Sequence, residues 1–381
     1  EAVSKAMQAL GDDGPKPTIA FVSATVSRDI NQVRLSFVEK LPENILIHGI
    51  TSSGAVLTPD GAVDAGVGCL LIAAEEGDFA SAYDSKDGTN AAGALKGKMA
   101  DPQAIFMGAT PGAEEDVVGI LTETFPGIPV YGGTAADNEL RGEWMVFSGE
   151  ESSDTGVSVI GVGNSVKFGA SMLGPYKPTR KKATATKTEG RRVFEIDDMP
   201  AADWVYEWLG KDESVKGAYE GGGLILPQTA QKPIAFIEKK KSYMGILPGK
   251  KDYITAHCAA FGGKEKWVDF FAPIPQGATL FVMDSADGPT TGYAAALSNA
   301  HDTAKAALDG ATPKAGLLVF CGGMAIAVGD KLDAGLTSTD FATKTKMFPM
   351  MGMTCFGEQA CLPSTKINVQ RNLSVGMILF G

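Results

Sequence analysis

Short apolar runs and polar, glycine-rich turns recur along the chain in one order. Three segments share that order: Pro17–Ala73, Pro102–Val162 and Lys314–Gly381. Each opens with an apolar run of four or five residues, which is typical of a strand buried on both faces. A helix-like stretch follows in each, over Ser27–Glu39, Ala113–Thr124 and Ser338–Lys346. The pattern therefore predicts a β-α-β-loop-β unit that is used three times.

The second predicted strand of each unit ends in the same motif, Gly-x-Thr. Its copies are Gly49-Ile-Thr51, Gly132-Gly-Thr134 and Gly352-Met-Thr354. Glycine at a strand end allows a sharp exit or the close approach of another backbone, and threonine can hydrogen-bond its own loop. The motif either only terminates a strand or lines a crevice, as strand carboxyl ends do in open α/β sheets. In the second case, a small ligand would contact Thr51, Thr134, Thr354 and Glu358.

The pattern changes between the second and third units. Phe194–Gly210 carries Pro200 and then predicts a helix with Trp204 and Trp208 on one face, which is more typical of a core or interface stripe than of a cofactor site. Gly221–Asp287 alternates apolar runs with Gly/Pro turns and predicts an antiparallel meander. Thr290–Leu308 predicts a helix, and Gly316–Gly329 predicts a buried strand that runs into a turn.

Together these elements predict an α/β (α+β) protein of two related domains, with mixed sheets and flanking helices. We expect an N-terminal domain over residues 1–175 and a C-terminal domain over residues 221–381. Residues 176–220 are expected to form a basic loop and a Trp-bearing helix that link the two domains.

Composition and charge reduce the number of protein classes and partners that the sequence allows. The chain has 381 residues, of which 47 are Gly, 34 are Lys or Arg and 45 are Asp or Glu, so the net charge is 34 − 45 = −11. An ordinary apolar fraction argues against a disordered chain, and the acidic balance disfavours nucleic acid as a partner. One block, Lys177–Arg192, is basic and is either a solvated loop or one half of an electrostatic contact between subunits. Its candidate contacts are Lys177, Arg180, Lys181, Lys182, Arg191 and Arg192.

No strong catalytic motif is present. The chain lacks the sequence patterns of a phosphate-binding loop, a dinucleotide fold, a nucleophile elbow and a zinc protease. The three His residues are far apart in sequence, and their spacing predicts no metal site. Cys321 and Cys355 lie near glycine-rich strand ends and are the candidates for a nucleophile, but no base accompanies them in sequence. We therefore expect no catalytic residue, no metal and no cofactor.

The Gly-x-Thr motifs and the C-terminal run resemble the FIST sensory-domain family over most of the chain. The matching segments are Gly49–Gly54, Val130–Asp137, Trp144–Phe147, Ile274–Ala278, Gly316–Cys321 and Pro349–Glu358. The resemblance implies a two-part α/β protein, FIST-N-like and then FIST-C-like, that senses a small ligand such as an amino acid. Two departures stand out: Gly322-Gly323-Met324 replaces a family Arg, and Asn368–Leu373 lacks a family His.

A fold kept without those site residues suggests reuse as an assembly unit. In general character the chain looks like the diatom pyrenoid shell proteins. That likeness implies a non-enzymatic protein that self-assembles, with itself or paralogous subunits, into a sheath at the pyrenoid periphery in the chloroplast stroma, supporting CO2 fixation by Rubisco. It also implies a leader removed before Glu1. The alternative is the small-ligand sensor, and an enzyme that uses Cys321 or Cys355 is the third hypothesis.

Overall fold

A computed structural model describes residues 1–11, 14–112, 114–237, 251–285 and 292–381. The helices are α1 (Ala2–Leu10), α2 (Ile30–Lys40), α3 (Thr89–Lys98), α4 (Glu114–Thr124), α5 (Ala201–Trp208), α6 (Glu213–Gly221), α7 (Leu226–Gln231), α8 (Tyr293–Ala307), α9 (Gly322–Val328), α10 (Lys331–Leu336) and α11 (Thr339–Thr345).

The strands of the first two units and their extensions are β1 (Ile19–Thr25), β2 (Leu46–Ser52), β3 (Ala55–Thr58), β4 (Gly61–Asp64), β5 (Val67–Ile72), β6 (Phe79–Asp84), β7 (Ala104–Ala109), β8 (Val130–Thr134), β9 (Val146–Ser148), β10 (Glu151–Ser153), β11 (Val157–Val162) and β12 (Phe168–Leu173). The remaining strands are β13 (Tyr176–Glu189), β14 (Arg192–Ile196), β15 (Met199–Pro200), β16 (Gly223–Leu224), β17 (Ile234–Phe236), β18 (Ile254–Ala256), β19 (Cys258–Phe261), β20 (Val268–Phe270), β21 (Thr279–Ser285), β22 (Ala315–Cys321), β23 (Met350–Cys355), β24 (Glu358–Cys361), β25 (Asn368–Arg371) and β26 (Val375–Phe380).

The threefold repeat is confirmed. In the first repeat, β1 lies between a parallel β2 and an antiparallel β5. In the second, β7 lies in the same way between β8 and β11, and in the third β22 lies between β23 and β26. Helices α2, α4 and α11 confirm the predicted helical stretches, although Ala113 lies outside the described residues. The predicted α/β (α+β) class is therefore correct.

The repeats exchange hairpins in a closed cycle. The hairpin β3–β4 of the first repeat pairs with β23 of the third, and the hairpin β9–β10 of the second pairs with β2 of the first. The hairpin β24–β25 of the third repeat completes the cycle on β8 of the second. Each sheet therefore contains strands from two repeats. The predicted boundaries of the two domains remain predictions, and strand pairing joins residues 1–175 to residues 221–381.

Each of these three sheets has an inner and an outer face. The inner faces share one apolar core, to which Phe21, Phe106 and Leu317 contribute from the three first strands. The outer faces are covered by helices: α1 and α2 on the first sheet, α3 and α4 on the second, and α8, α10 and α11 on the third. Strands buried on both faces explain why the apolar runs are continuous rather than alternating.

A separate antiparallel sheet is inserted between the second and third repeats. It consists of β13–β21 with α5–α7, and we call residues 176–285 the insertion. The antiparallel meander is confirmed, and Trp204 and Trp208 are buried with ring centroids 6.0 Å apart, as predicted. Asp287 and Thr290, at the bounds of two predicted segments, lie outside the described residues.

Two local predictions were wrong. Tyr176–Glu189 forms the long strand β13 rather than a basic loop, because Ala183 and Ala185 pack on the insertion core while the lysines are exposed to solvent. Gly322–Val328 forms helix α9 rather than a turn.

Within the described residues, no helix has both the length and the apolar character needed to cross a membrane.

Candidate functional site

The three Gly-x-Thr strand ends meet in a ring of main-chain hydrogen bonds. The N–H of Ala136 donates to the Thr51 carbonyl oxygen at 3.0 Å. The N–H of Ser53 donates to the Thr354 carbonyl at 3.0 Å, and that of Phe356 to the Thr134 carbonyl at 3.1 Å. In every repeat, the donor is the second residue after the threonine. The ring ties the strand ends to one another.

The three threonines at this ring are buried and form hydrogen bonds within the protein. The Oγ1 of Thr51 accepts from the Met145 N–H at 3.0 Å, and the Oγ1 of Thr134 accepts from Gln359 Nε2 at 3.0 Å. The Thr354 N–H donates to Ser52 Oγ at 2.8 Å. The structure thus brings the three predicted threonines together, but around each other rather than along an open crevice. Their role as ligand contacts remains a prediction.

Glu358, the fourth predicted contact, lies in a buried polar cluster beside this ring. Its Oε2 accepts from the Ser374 N–H at 3.1 Å, and the buried Cys321 thiol is a neighbour of its carboxyl. Oε1 has no hydrogen-bond partner among the described residues. Burial raises the pKa of Glu358 to about 8, although the nearby Arg371 lowers it. The side chain is therefore predominantly protonated at pH 7.

Arg371 lies opposite Glu358 in the β24–β25 hairpin and is buried too. Its Nη2 makes a long hydrogen bond of 3.4 Å to Thr255 Oγ1, and Nε has no partner in the described part of the chain. Burial lowers the pKa of this guanidinium. A buried cation beside a protonated carboxyl is costly, which makes this cluster a candidate for function rather than for stability.

A small cavity lies next to the cluster, where β22 ends and helix α9 begins. Its volume is about 30 Å³, on the scale of one or two water molecules. Its lining residues are Leu140, Leu226, His257, Phe271, Cys321, Gly323, Ile326, Phe356 and Asn372. Ile326 is 47% exposed, so the cavity reaches the surface there.

Two polar side chains, His257 and Asn372, define the inner end of the cavity. The Oδ1 of Asn372 accepts from the His257 backbone N–H at 3.2 Å, while its Nδ2 has no partner among the described residues. His257 Nε2 lies 3.1 Å from the Leu226 carbonyl oxygen, so Nε2 carries the proton and donates it. Burial lowers the pKa of His257 to about 4, so the ring is neutral and Nδ1 is an acceptor.

The mouth of the cavity is covered by a loop that Asp137 organises. The buried Asp137 carboxylate accepts hydrogen bonds from five successive backbone N–H groups, those of residues 139–143, at 2.5 to 3.1 Å. Leu140 lies in this loop with a φ of 56° and contributes its side chain to the cavity wall. The loop therefore covers the mouth in a conformation that one carboxylate fixes.

Cys321 and Cys355 are poorly suited to nucleophilic chemistry. Burial raises the pKa of both thiols well above the ordinary value, and the carboxyl of Glu358 adds to the effect. A thiol that stays protonated is a weak nucleophile. Within the described ranges, no group of three or more His, Cys, Asp or Glu side chains could hold a metal ion.

The six candidate assembly residues separate into two groups. Lys177, Arg180, Lys181 and Lys182 are exposed along β13. Arg191 and Arg192 are paired within the chain: Arg191 contacts Glu114 and Glu115 at 2.6 Å, and Arg192 contacts Asp269 at 2.8 Å. The carboxylates that the arginines need are thus supplied by the same molecule.

His257, Arg371 and Asn372 were not predicted as site residues. His257 comes from the insertion, and the polar pair 371–372 lies in the segment whose missing His counted against a site. The fold places His257 beside Asn372 of that segment, although the two residues are 115 positions apart in sequence. The available signal was the polar pair itself, which interrupts two strand-like runs.

Comparison with known proteins supports the FIST resemblance. The model of the FIST N domain matches residues 18–199, which contain the first two repeats. A protein of Methanocaldococcus jannaschii described as uncharacterized is 32% identical over 108 residues, which are 28% of this chain. The chain covers 21% of that relative's length. The cavity draws Leu140 from the matched range and its remaining lining residues from beyond it.

Proposed function

We propose that the protein is a sensory module that binds a small ligand in the cavity lined by His257 and Asn372. FIST domains are a family of sensory type, and the match over residues 18–199 supports this function. An amino acid is the ligand class that the resemblance suggests. Binding without catalysis is part of the proposal.

The observation that carries the proposal is the unsatisfied hydrogen-bond donor of Asn372, a residue that lines the cavity. Buried polar groups in folded proteins are normally satisfied, and an unsatisfied donor costs about 1–3 kcal/mol. Asn372 Nδ2 is such a donor, and it belongs to a side chain that is 1% exposed. A ligand that accepts this hydrogen bond recovers the free-energy cost of the unsatisfied donor. Ligand pockets typically place a few such polar groups among apolar side chains, where they orient the ligand.

The location of the cavity supports the same function. It lies where β22 and β23 of the third repeat end, and ligands in open α/β sheets bind outside the carboxyl ends of strands. The loop over its mouth gives a route by which binding changes the surface. Moving Leu140 would disturb the hydrogen bonds that residues 139–143 make to Asp137.

A thermal-shift screen against the common amino acids and small metabolites tests the proposal. A ligand at about 100 times its Kd should add ~2.7 kcal/mol to the free energy of unfolding. Ile326→Trp, at the mouth, should abolish the shift because the larger side chain closes the entrance. Leu35→Trp is the matched control, since Leu35 is 45% exposed on α2 and does not line the cavity. A shift that survives Ile326→Trp would place binding elsewhere, and the proposed site would be wrong.

The shell hypothesis has no support from these comparisons. Self-assembly, a pyrenoid role and a chloroplast location remain predictions, for which Lys177, Arg180, Lys181 and Lys182 are the exposed candidate contacts. Sedimentation of the purified protein over a range of concentration and salt tests them. A monodisperse monomer at high concentration and low salt would rule out assembly through these contacts.

A further inference from the structure

The inner end of the cavity has a defined hydrogen-bonding pattern. His257 donates through Nε2 to a carbonyl oxygen, which can only accept, so Nδ1 is left as an acceptor. Nδ1 faces Gly323 on the cavity wall: a Cβ at position 323 would lie 2.7 Å from it. Asn372 fixes its own amide orientation by accepting from the His257 N–H, which makes Nδ2 the free donor. The residues that line the cavity therefore include one acceptor, His257 Nδ1, and one donor, Asn372 Nδ2.

The part of the cavity wall that the structure describes is uncharged. None of its nine lining residues carries a charged side chain, since His257 is neutral. Arg371 and Glu358 belong to the neighbouring cluster and are not among the lining residues. A charged ligand group would lose its hydration here and gain no counter-charge, which is costly in a buried site.

We propose that the ligand presents an uncharged amide edge to this cavity, its C=O accepting from Asn372 Nδ2 and its adjacent N–H donating to His257 Nδ1. The inference rests on the proposed function in using the same cavity, and it names the ligand class. A volume of about 30 Å³ accommodates the polar edge alone. The apolar remainder of the ligand packs at the mouth against Leu140, Ile326 and Phe356. Lactams, primary amides and cyclic dipeptides have this shape and polarity, whereas the zwitterionic end of a free amino acid does not.

A series of matched probes tests the amide edge on the unaltered protein. δ-Valerolactam carries both groups, δ-valerolactone lacks the N–H, N-methyl-δ-valerolactam blocks it, and 5-aminovalerate carries the charges of the opened ring. We expect the lactam to bind, with the lactone and the N-methyl compound weaker by about tenfold or more, and 5-aminovalerate showing no binding. Calorimetry or ligand-observed NMR measures the dissociation constants.

A protein variant tests the donor separately. Asn372→Asp keeps Oδ1 for the His257 N–H but replaces the NH2 donor with a second acceptor, so lactam affinity should fall about tenfold. Asn90→Asp, an exposed change in α3, is the control and should leave affinity unchanged. Because the probe series needs no variant, a poorly folded Asn372→Asp leaves the test intact.

The outcomes separate this inference from the proposed function. If the lactone binds as well as the lactam, or if amino acids bind in a manner that Ile326→Trp blocks while the lactam does not bind, the amide edge is wrong and the sensory function stands. If neither the lactam nor any compound of the screen binds in an Ile326-dependent manner, both proposals fail.

Discussion

Gly49 lies directly opposite Phe147 in the sheet of the first repeat, and a Cβ at position 49 would be 2.1 Å from the Phe147 ring. Phe147 belongs to the hairpin that the second repeat donates. A Cβ at Gly352 would likewise lie 2.7 Å from the Leu57 Cβ, an atom of the first repeat. A Cβ at Gly132 would lie 2.9 Å from Gln359 Oε1 of the third repeat but 2.0 Å from the Met107 carbonyl oxygen of its own repeat. The motif glycine of the first and third repeats therefore makes room for a strand from another repeat, and Gly132 also makes room for the neighbouring strand β7.

Replacing Gly352 with Ala should destabilise the protein by about 2 kcal/mol, because overpacking a closed core forces neighbouring atoms apart. The clash is with the Cβ atoms of Leu57 and Leu318, which move only with the backbone. Urea unfolding measures the effect.

Gly119→Ala is the control for this change. Gly119 is exposed in α4 and has nothing within 4 Å of its hypothetical Cβ, so the variant should be as stable as the original chain or more stable, by ~0.5–1 kcal/mol. Equal effects at positions 352 and 119 would show that close approach is not the reason for the motif glycine.

The sequence predicts the repeats but not their exchange of hairpins. Runs such as Gly316–Phe320 are continuous and apolar because their strands are buried on both faces. Burial of this kind can therefore be predicted from the residues of the strand alone. The strand with which a hairpin pairs cannot be predicted in this way. The amino-acid composition of β3–β4 is compatible with pairing either to its own repeat or to β23 of the third repeat. Only the positions of the motif glycines mark the contact.

The site is predictable only in part for a related reason. Glu358 was a candidate because it lies beside a Gly-x-Thr strand end, and burial at the meeting of two repeats gives it its unusual pKa. His257 and Asn372 are brought together by the docking of the insertion on the third repeat, and no periodicity records that docking. The prediction of a basic loop over Lys177–Arg192 was wrong because it used charge alone, which predicts solvent exposure. Side chains of a strand point alternately to opposite faces, so β13 has one buried face although it is rich in charged residues.

Glu358 should make the protein less stable as pH rises from about 4.5 to about 8. In the unfolded chain the carboxyl ionises near 4.5, but in the folded protein it holds its proton until about pH 8. Over that window the folded state binds more protons, so its free energy of unfolding falls with increasing pH. The contribution is fully present below pH 4.5 and is lost as pH passes 8.

Glu358→Gln should remove this dependence, because the amide does not titrate. The variant should gain stability relative to the original chain between pH 5 and pH 8, by more than ~1.4 kcal/mol, the equivalent of one pKa unit. Denaturant unfolding at several pH values measures the difference. Glu143→Gln, at an exposed position, should show no such trend. A stability difference for Glu358→Gln that stays flat across the window would mean that Glu358 is ionised in the folded protein.

The cysteines should differ in reactivity by their burial. Burial raises the pKa of Cys69 to about 12 and raises those of Cys258, Cys321 and Cys355 well above the ordinary value. At pH 8 we expect iodoacetamide to modify the partly exposed Cys361 first, and Cys69 only slowly, because the Cys69 thiol is almost wholly protonated at that pH. Cys321 and Cys355 should react at least ~100-fold more slowly than free cysteine.

Mass spectrometry of the labelled protein follows each site, and labelling in 8 M urea provides the control in which all five cysteines react alike. Fast modification of Cys321 or Cys355 in the folded protein would contradict the buried-thiol account. It would also restore the hypothesis of an enzyme that uses one of them as a nucleophile.

Arg191 should be worth more to folding than any of the exposed cations in the basic block. Its guanidinium bonds Glu115 through Nε at 2.7 Å and Glu114 through Nη2 at 2.6 Å, which fastens the insertion to helix α4 of the second repeat. Glu114 is 2% exposed, so Arg191→Ala strands a carboxylate in the interior and should cost ~3 kcal/mol in urea unfolding. Lys187→Ala, on the exposed side of β13, should change stability by less than ~0.5 kcal/mol.

Adding Glu114→Gln to Arg191→Ala should recover part of the loss in stability, because it removes the unpaired buried charge. Strictly additive losses would show that Arg191 and Glu114 stabilise the fold independently.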